Sequence, residues 1–331
     1  MLRGKDTIGV VEQTVWGTPV TTGHTSISSA ADPTWTYNSG DFKSQRQRYS
    51  TADNIANKGN YSYDVTIPTE LEASQGIFFL KNLLGNYAFA ADTPVASANT
   101  HTIKEYTAVV AEANQLFKLG FTTEIGQDAN FYTFEDCIVK SYEITETEQG
   151  AFPVTVELSA SDMTEDTTSN VTFSEDDVSQ VFNTLQVVLS AGVDASEVAQ
   201  PISLTSLRIE RGGINPKYKL SSNVAKRWVQ DGMLTVAGTF EIEVDDTEYA
   251  AVLDDFNNSD KASVLMVFTS DQMVTGSTPY SLTFDMSECK YTAKEGSTDG
   301  SCRNIKFSFE AGIDAAANII TISAVNGEAT L

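Results

Sequence analysis

The chain has 331 residues, 41% of them apolar and 20% charged, a folded composition with room for two domains of ordinary size. Its 21 Lys and Arg stand against 45 Asp and Glu, a formal charge of −24, which excludes DNA binding by phosphate neutralisation because that needs clustered cations. No run approaches the ~20 apolar residues of a membrane span. The opening MLRGKDTIGVVEQ also lacks the apolar core of a secretory leader, so neither a membrane segment nor a cleaved leader is expected.

In chain order, the first strong pattern follows a basic stretch. SGDFKSQRQRYSTADNIANKG (39–59) holds Lys43, Arg46, Arg48 and Lys58 and reads as a long loop or edge hairpin. Tyr61, Tyr63, Val65 and Ile67 then alternate with Ser62, Asp64 and Thr66, the period of a strand with one buried face. Thr69 and Glu72 form a capping-box pattern after Pro68, and Leu71, Ile77, Phe78, Leu80, Leu83 and Leu84 supply a helical stripe that Gly85 stops. The apolar face of the strand is expected to pack under this helix. The Ala- and Thr-rich stretch 86–115 reads as an excursion or hairpin, and contact between rings of subunits is its expected role. LGFTTE (119–124), YTFEDC (132–137) and the alternating Val154, Val156 and Leu158 complete a run of strands. The polar stretch 162–175 lacks periodicity and reads as a boundary.

The pattern then returns. A second basic loop holds Arg208, Arg211, Lys217, Lys219, Lys226 and Arg227. Phe240, Ile242 and Val244 alternate with Thr239, Glu241 and Glu243, at 177 residues from the first strand. Asp245 and Glu248 cap a helix whose face is Tyr249, Val252, Leu253 and Phe256. MVFTSD (266–271), FDMSEC (284–289) and Ile305, Phe307 and Phe309 follow in the same order. Three blocks in one order, differing in loop length, indicate internal duplication. Two tandem domains are expected, 1–165 and 166–331, each mainly β (α+β), a β-sandwich or barrel with a flanking helix. The basic loops read either as solvated loops or as arms that reach the acidic surface of a neighbouring copy, where opposite charges fix register and speed encounter.

Residues for chemistry are scarce. His24 and His101 lie in loop-like sequence and are expected to be exposed. No G-x-S-x-G, H-E-x-x-H, C-x-x-C, P-loop or G-x-G-x-x-G occurs. Acidic clusters such as 175–177 lack the spacing of a calcium loop. No catalytic, cofactor or metal site is expected. Cys137, Cys289 and Cys302 read as buried thiols of a chain made in a cytoplasm, with a Cys289–Cys302 bridge as the alternative.

IGVVEQTVWGTPV (8–20), GNYSYDVTIPTEL (59–71) with FFLKNLLG (78–85), and FEDCIVKSYEI with GAFPVTVELSA (134–160) together resemble the major tail tube proteins of tailed bacteriophages. The resemblance covers most of the first half and, through the repeat, much of the second. It implies tail-tube-like domains and no enzyme activity. Such subunits join in rings around a lumen, and the rings stack into a tube. For a duplicated chain it implies a homotrimer with pseudo-sixfold symmetry. Other tail proteins (terminator, tape measure, distal tail) would be its partners, and DNA would pass without specific binding. The site would be the virion tail, with assembly in the host bacterial cytoplasm. The basic residues Lys43, Arg46, Arg48, Arg208, Arg211, Lys217, Lys219, Lys226 and Arg227 are candidates for subunit contact. Asp64, Glu241 and Glu243 are candidates for a face turned to the lumen or to solvent. The alternatives are another virion β-protein, such as a terminator, adaptor or adhesin-like sandwich, and a carbohydrate-active enzyme.

Overall fold

The computed structural model describes residues 7–27, 29–40, 59–74, 76–91, 98–105, 121–127, 130–146, 150–171, 181–183, 187–192, 202–220, 222–243, 247–258, 261–299 and 302–327. The expected caps at Asp245 and the strand end at Val244 fall outside them. The chain is mainly β, as the alternating patterns predict.

A first group of elements comprises β1 (Thr7–Glu12), β2 (Thr25–Ile27), β3 (Thr34–Ser39), β4 (Tyr61–Glu70), α1 (Gly76–Leu84), β5 (Gly85–Ala91), β6 (Asn99–Glu105), β7 (Phe121–Gln127), β8 (Asn130–Thr145), β9 (Pro153–Ala160) and β10 (Asp162–Asp166). A second comprises β11 (Val187–Gly192), β12 (Ile202–Arg211), β13 (Ile214–Tyr218), β14 (Ala225–Gln230), β15 (Leu234–Glu243), α2 (Thr247–Asn258), β16 (Ala262–Thr275), β17 (Thr278–Asp299), β18 (Cys302–Ala311) and β19 (Thr321–Asn326).

The two groups pair their strands in the same way. In the first, β7 lies between β1 and β8, and β10 takes the other edge of the first half of β8. The second half of β8 pairs with β9, β9 with β4, and β4 with β3. In the second, β11, β16, β17 and β19 follow the first order, and β17, β18, β15 and β12 follow the other. One long strand in each group therefore passes from one layer to the next. In β8 the passage falls at Asp136, a non-glycine residue with φ of 51°. Cys137 and Cys289 mark the same point in the two groups. Each is a buried free thiol donating to the carbonyl three residues earlier, Phe134 at 3.4 Å and Met286 at 3.5 Å. Burial raises both thiols to about 12, so they are inert. The Cys289–Cys302 bridge is not formed.

Two pairings join the groups. β12 runs antiparallel to β8, Ser206 opposite Thr145 through Glu210 opposite Ser141. One layer thus runs β3–β4–β9–β8–β12–β15–β18–β17 without a break, eight strands wide. In the other layer β6 pairs with β19, Asn99 opposite Asn326 through Lys104 opposite Thr321. The excursion is therefore a hairpin, β5 on β6, and it uses the second edge of β6 on the chain's own second group. Residues 106–115 lie outside the described residues.

The core is continuous between the layers. Tyr63, Val65, Ile67, Val156, Leu158, Tyr142, Ile209, Val236, Phe240 and Phe307 come from the eight-stranded layer, and Ile8, Val10, Ile125, Phe134, Val264, Met266, Phe268 and Phe284 from the other. Phe268 meets Phe152 at 5.3 Å and Phe182 at 5.7 Å, so the packing also crosses between groups. Each fully buried aromatic side chain contributes ~3 kcal/mol of transfer free energy, and these rings carry much of the fold.

Three expectations are corrected. The strand does not end at Pro68: β4 continues to Glu70 and α1 begins at Gly76, so Thr69 lies in the strand and the helix starts later than the pattern at Thr69 and Glu72 predicts. Proline is tolerated because β3 ends opposite Thr66, leaving no ladder bond to lose on that side. Helix α1 lies chiefly against β8, with β5 and β6 beside it, instead of over β4. Both histidines are buried, not exposed. His101, on β6, bonds Tyr87 Oη through Nδ1 and Asn326 Oδ1 through Nε2, each at 2.8 Å, and Asn326 Nδ2 donates to Ala73 O. Burial lowers the pKa of His24, against the pull of Glu124.

Candidate assembly surface

One face of the eight-stranded layer is apolar and buried. The register puts Asp64 and Thr66 of β4 opposite Ser159 and Glu157 of β9, and Glu157 opposite Ser141 of β8. Across the junction Glu143 faces Arg208 of β12. Glu241 of β15 faces Lys306 of β18, and Glu243 faces Asn304. These positions share the second, polar face, where acids outnumber bases. Asp64 and Glu241 stand on it, in β4 of the first group and β15 of the second, and Glu243 takes the register position two residues beyond Glu241.

The carboxylates are tied down rather than free. Burial works to raise the Asp64 pKa, but Ser159 Oγ at 2.8 Å, Lys140 Nζ at 3.1 Å and Asn38 Nδ2 at 2.7 Å outweigh it and hold the carboxyl below its ordinary range. Arg208 spans the junction: Nη1 reaches Glu143 at 2.7 Å, Nη2 reaches Glu157 at 3.4 Å and Nε reaches Glu210 at 2.9 Å. Burial lowers the Arg208 pKa, but the hydrogen bonds to Glu210 and Glu143 raise it more.

The other basic candidates divide. Arg211 is 7% exposed, and it closes the C-terminus of α1 by donating to Leu83 O through Nε and to Leu84 O through Nη2. Those terminal carbonyls lack helical partners, and a cation suits the negative end of the dipole. Burial lowers its pKa to about 10, with Glu105 pulling the other way. Lys217, Lys219, Lys226 and Arg227 are exposed on and around the β13–β14 hairpin. Lys43, Arg46 and Arg48 lie outside the described residues. Arg208 and Arg211 therefore link the two groups within one chain.

The hairpin itself is an arm laid on the first group. Trp228 is 3% exposed and its Nε1 donates to Asp136 O at 2.9 Å. Trp16 Nε1 donates to Ala225 O at 3.4 Å, Tyr218 Oη to Tyr61 O at 3.0 Å, and Tyr61 N to Asn223 O at 3.0 Å. The seat is firm because the Asp136 carboxylate accepts from Gly17 N at 2.8 Å, Gln13 Nε2 at 3.2 Å and Ser161 Oγ at 2.6 Å. Burial raises the Asp136 pKa; the bonds from Gly17, Ser161 and Gln13 oppose the rise. Beside it Glu135 is pushed up to about 7 by burial, then by Asp162 and Asp136.

Trp228 and Asp136 were not among the sequence candidates. A tryptophan in an otherwise basic, polar loop was the available signal for one. An acidic residue inside the apolar run FEDCIV was the signal for the other. Among the described residues no group of three or more His, Cys, Asp and Glu is placed to hold a metal ion. No described helix is long and apolar enough to cross a membrane.

The arrangement is suited to holding strand edges and carboxylates in register. A family model described as phage tail tube protein matches residues 5–311. No curated protein matches the sequence. Among solved structures the chain is similar to one in the cryo-EM structure of the anti-feeding prophage (AFP) baseplate, 6-fold symmetrised, with 9% identity over 50% of this chain and 95% of that one. The TM-score is 0.28. The family match runs through both groups of strands as far as β18 and includes the β8–β12 junction, and the chain belongs to the phage tail tube protein family, a structural component of the virion tail.

Proposed function

We propose that the chain self-assembles into rings that stack as the wall of the tail tube, without catalysis. The observation that carries this reading is the eight-stranded layer with an unpaired edge at each end. Among the described residues β3 pairs only with β4, and β17 beyond Lys290 pairs only with β18. Open edges are a liability for a monomer and a joint for a closed ring of unlike contacts. The β8–β12 junction is a worked instance of such a joint inside one chain.

Two tandem domains, 1–165 and 166–331, make three chains sufficient for a pseudo-sixfold ring. Twenty-four strands at ~4.8 Å spacing have a circumference of at least ~115 Å and a backbone radius of at least ~18 Å, which leaves a wide lumen. The polar face, with Asp64, Glu241 and Glu243, turns to that lumen. An acidic wall suits a conduit for ejected DNA because phosphates find few cations to hold them. Like charges ~10 Å apart in water repel by only about 0.4 kcal/mol, too little to obstruct passage. Assembly takes place in the host bacterial cytoplasm, with the terminator, tape measure and distal tail proteins as further partners.

Negative-stain electron microscopy of the purified protein across concentrations tests the reading. Stacked rings with threefold averages are expected. Featureless monomers under every condition would overturn it, and sixfold averages with one chain per unit would overturn the trimer.

A further inference from the structure

The arm β13–β14 sets like charges face to face. Lys217 stands opposite Arg227 in its register, and Lys219 and Lys226 flank the pair. All four are exposed, and none forms an ion pair with a described residue, although Lys226 lies in the field of Asp136. Like charges directly opposite on paired strands repel. The other face of the arm is committed to the first group, with Trp228 and Ala225 buried there. The cations therefore stand on the outer face, and in a chain of −24 an anion from a second copy is the relief at hand.

The arm sits at one end of the eight-stranded layer, where Tyr61 N, at the start of β4, donates to Asn223 O. The opposite end is acidic. The last two residues of the eight strands there include Glu70, Glu243 and Asp299 against one base, Arg303, and Glu146 follows β8 directly. Glu70 forms no ion pair with a described residue. It ends β4, nine residues from Tyr61, which is ~30 Å at the rise of a strand. The cations of its own arm are out of reach, so its partner is a second copy. One end basic and the other acidic make a contact of unlike surfaces, which repeats head to tail into an open stack.

We propose that the outer face of β13–β14, with Lys217, Lys219 and Arg227, seats on the Glu70 and Glu146 end of the eight-stranded layer of a second copy in the next ring. The proposal rests on the reading of stacked rings and names the contact that stacks them. Opposite charges there fix the register of one ring on the next and speed their encounter.

Leu220, 98% exposed at the turn of the arm, is the place for a probe. Replacing it by benzoylphenylalanine in the full chain, mixing isotope-labelled and unlabelled protein, and irradiating the assembled tubes tests the contact. The expected product joins a labelled to an unlabelled chain through a peptide that contains Glu70 or Glu146, read by mass spectrometry. Stacked rings without that cross-link overturn the contact and leave the tube reading intact. Protein that never assembles overturns both. In a second experiment, Lys217→Glu with Arg227→Glu is expected to raise the concentration needed for stacking about tenfold, with single rings and melting unchanged. Adding Glu70→Lys and Glu146→Lys is expected to restore stacking. An unchanged threshold, loss of the single rings themselves, or no recovery in the fourfold variant overturns the proposal.

Discussion

The two groups of strands share one pairing scheme and differ in their insertions. The first group inserts the β5–β6 hairpin after its helix, whereas in the second α2 is followed almost directly by β16. The second group carries β13–β14 between β12 and β15, and the corresponding residues 41–58 of the first group lie outside the described residues. Each of these hairpins is used on the other group: β6 pairs with β19, and the β13–β14 arm sits on the bend of β8. The shared ladder builds each half and joins the two at β8–β12, while the two hairpins add a joint on either side. The excursion expected from sequence to join rings, and the basic loop expected to be solvated or to reach a neighbouring copy, both make joints within one chain.

The comparison is broken most severely at Trp228. Trp228→Ala is expected to cost about 3–5 kcal/mol, the range for a buried aromatic truncation, seen as a lower urea midpoint. The same change at exposed Arg227 should cost little. Arg211→Ala exposes the end of α1 to unpaired carbonyls and should cost about 2–3 kcal/mol, with helix loss visible in hydrogen exchange at Leu83 and Leu84. On the opposite joint, Asn326→Ala leaves His101 Nε2 and Ala73 O short of a partner, and about 1–3 kcal/mol is expected. Faster exchange confined to β5, β6 and β19 would mark the hairpin joint as separable from the arm joint. Arg208→Ala removes a half-exposed network and should cost about 1 kcal/mol or less, shrinking further at high salt.

A pH series sharpens the comparison without breaking it. Glu135 titrates near 7 in the fold against an ordinary value of 4.5, so protons favour the folded state. The stability it contributes is complete below pH 4.5 and is lost as pH rises through about 7. Glu135→Gln should melt like wild type near pH 4 and higher than wild type at pH 8. A constant difference across that range would show that the carboxyl does not sense its neighbours. Its counterpart in the second group, Ser287, has nothing to titrate, so the effect belongs to one bend alone.

Much of this was readable in the sequence because period and order are local signals. The alternation at 61–67 and 239–244, and the recurrence of the C-terminal blocks, pointed to the strands that now form the eight-stranded layer. The helix start after Pro68 misled because proline and a capping pattern describe local chemistry, while the ladder to β9 keeps β4 extended through Glu70. His101 misled because its Thr-rich neighbourhood is polar, yet the ring finds both partners inside the protein, one of them 225 residues away. Arg211 was singled out as a contact, but its buried place under α1 depends on long-range pairing that spacing does not encode. Trp228 and Asp136 were missed for the same reason: 92 residues separate donor and acceptor.

That separation has a consequence in time. Strand β6 is complete early in synthesis, but β19, which supplies its second edge, follows some 225 residues later. At 5–20 residues per second the ribosome needs about 11–45 s to deliver it. During that interval the β6 edge is open to any extended segment nearby. Thr100, Thr102, Lys104 and Glu105 along it make the waiting edge polar and charged, a poor template for strangers. The hairpin is thus a lock made long before its key, with an edge chemistry that lets it wait.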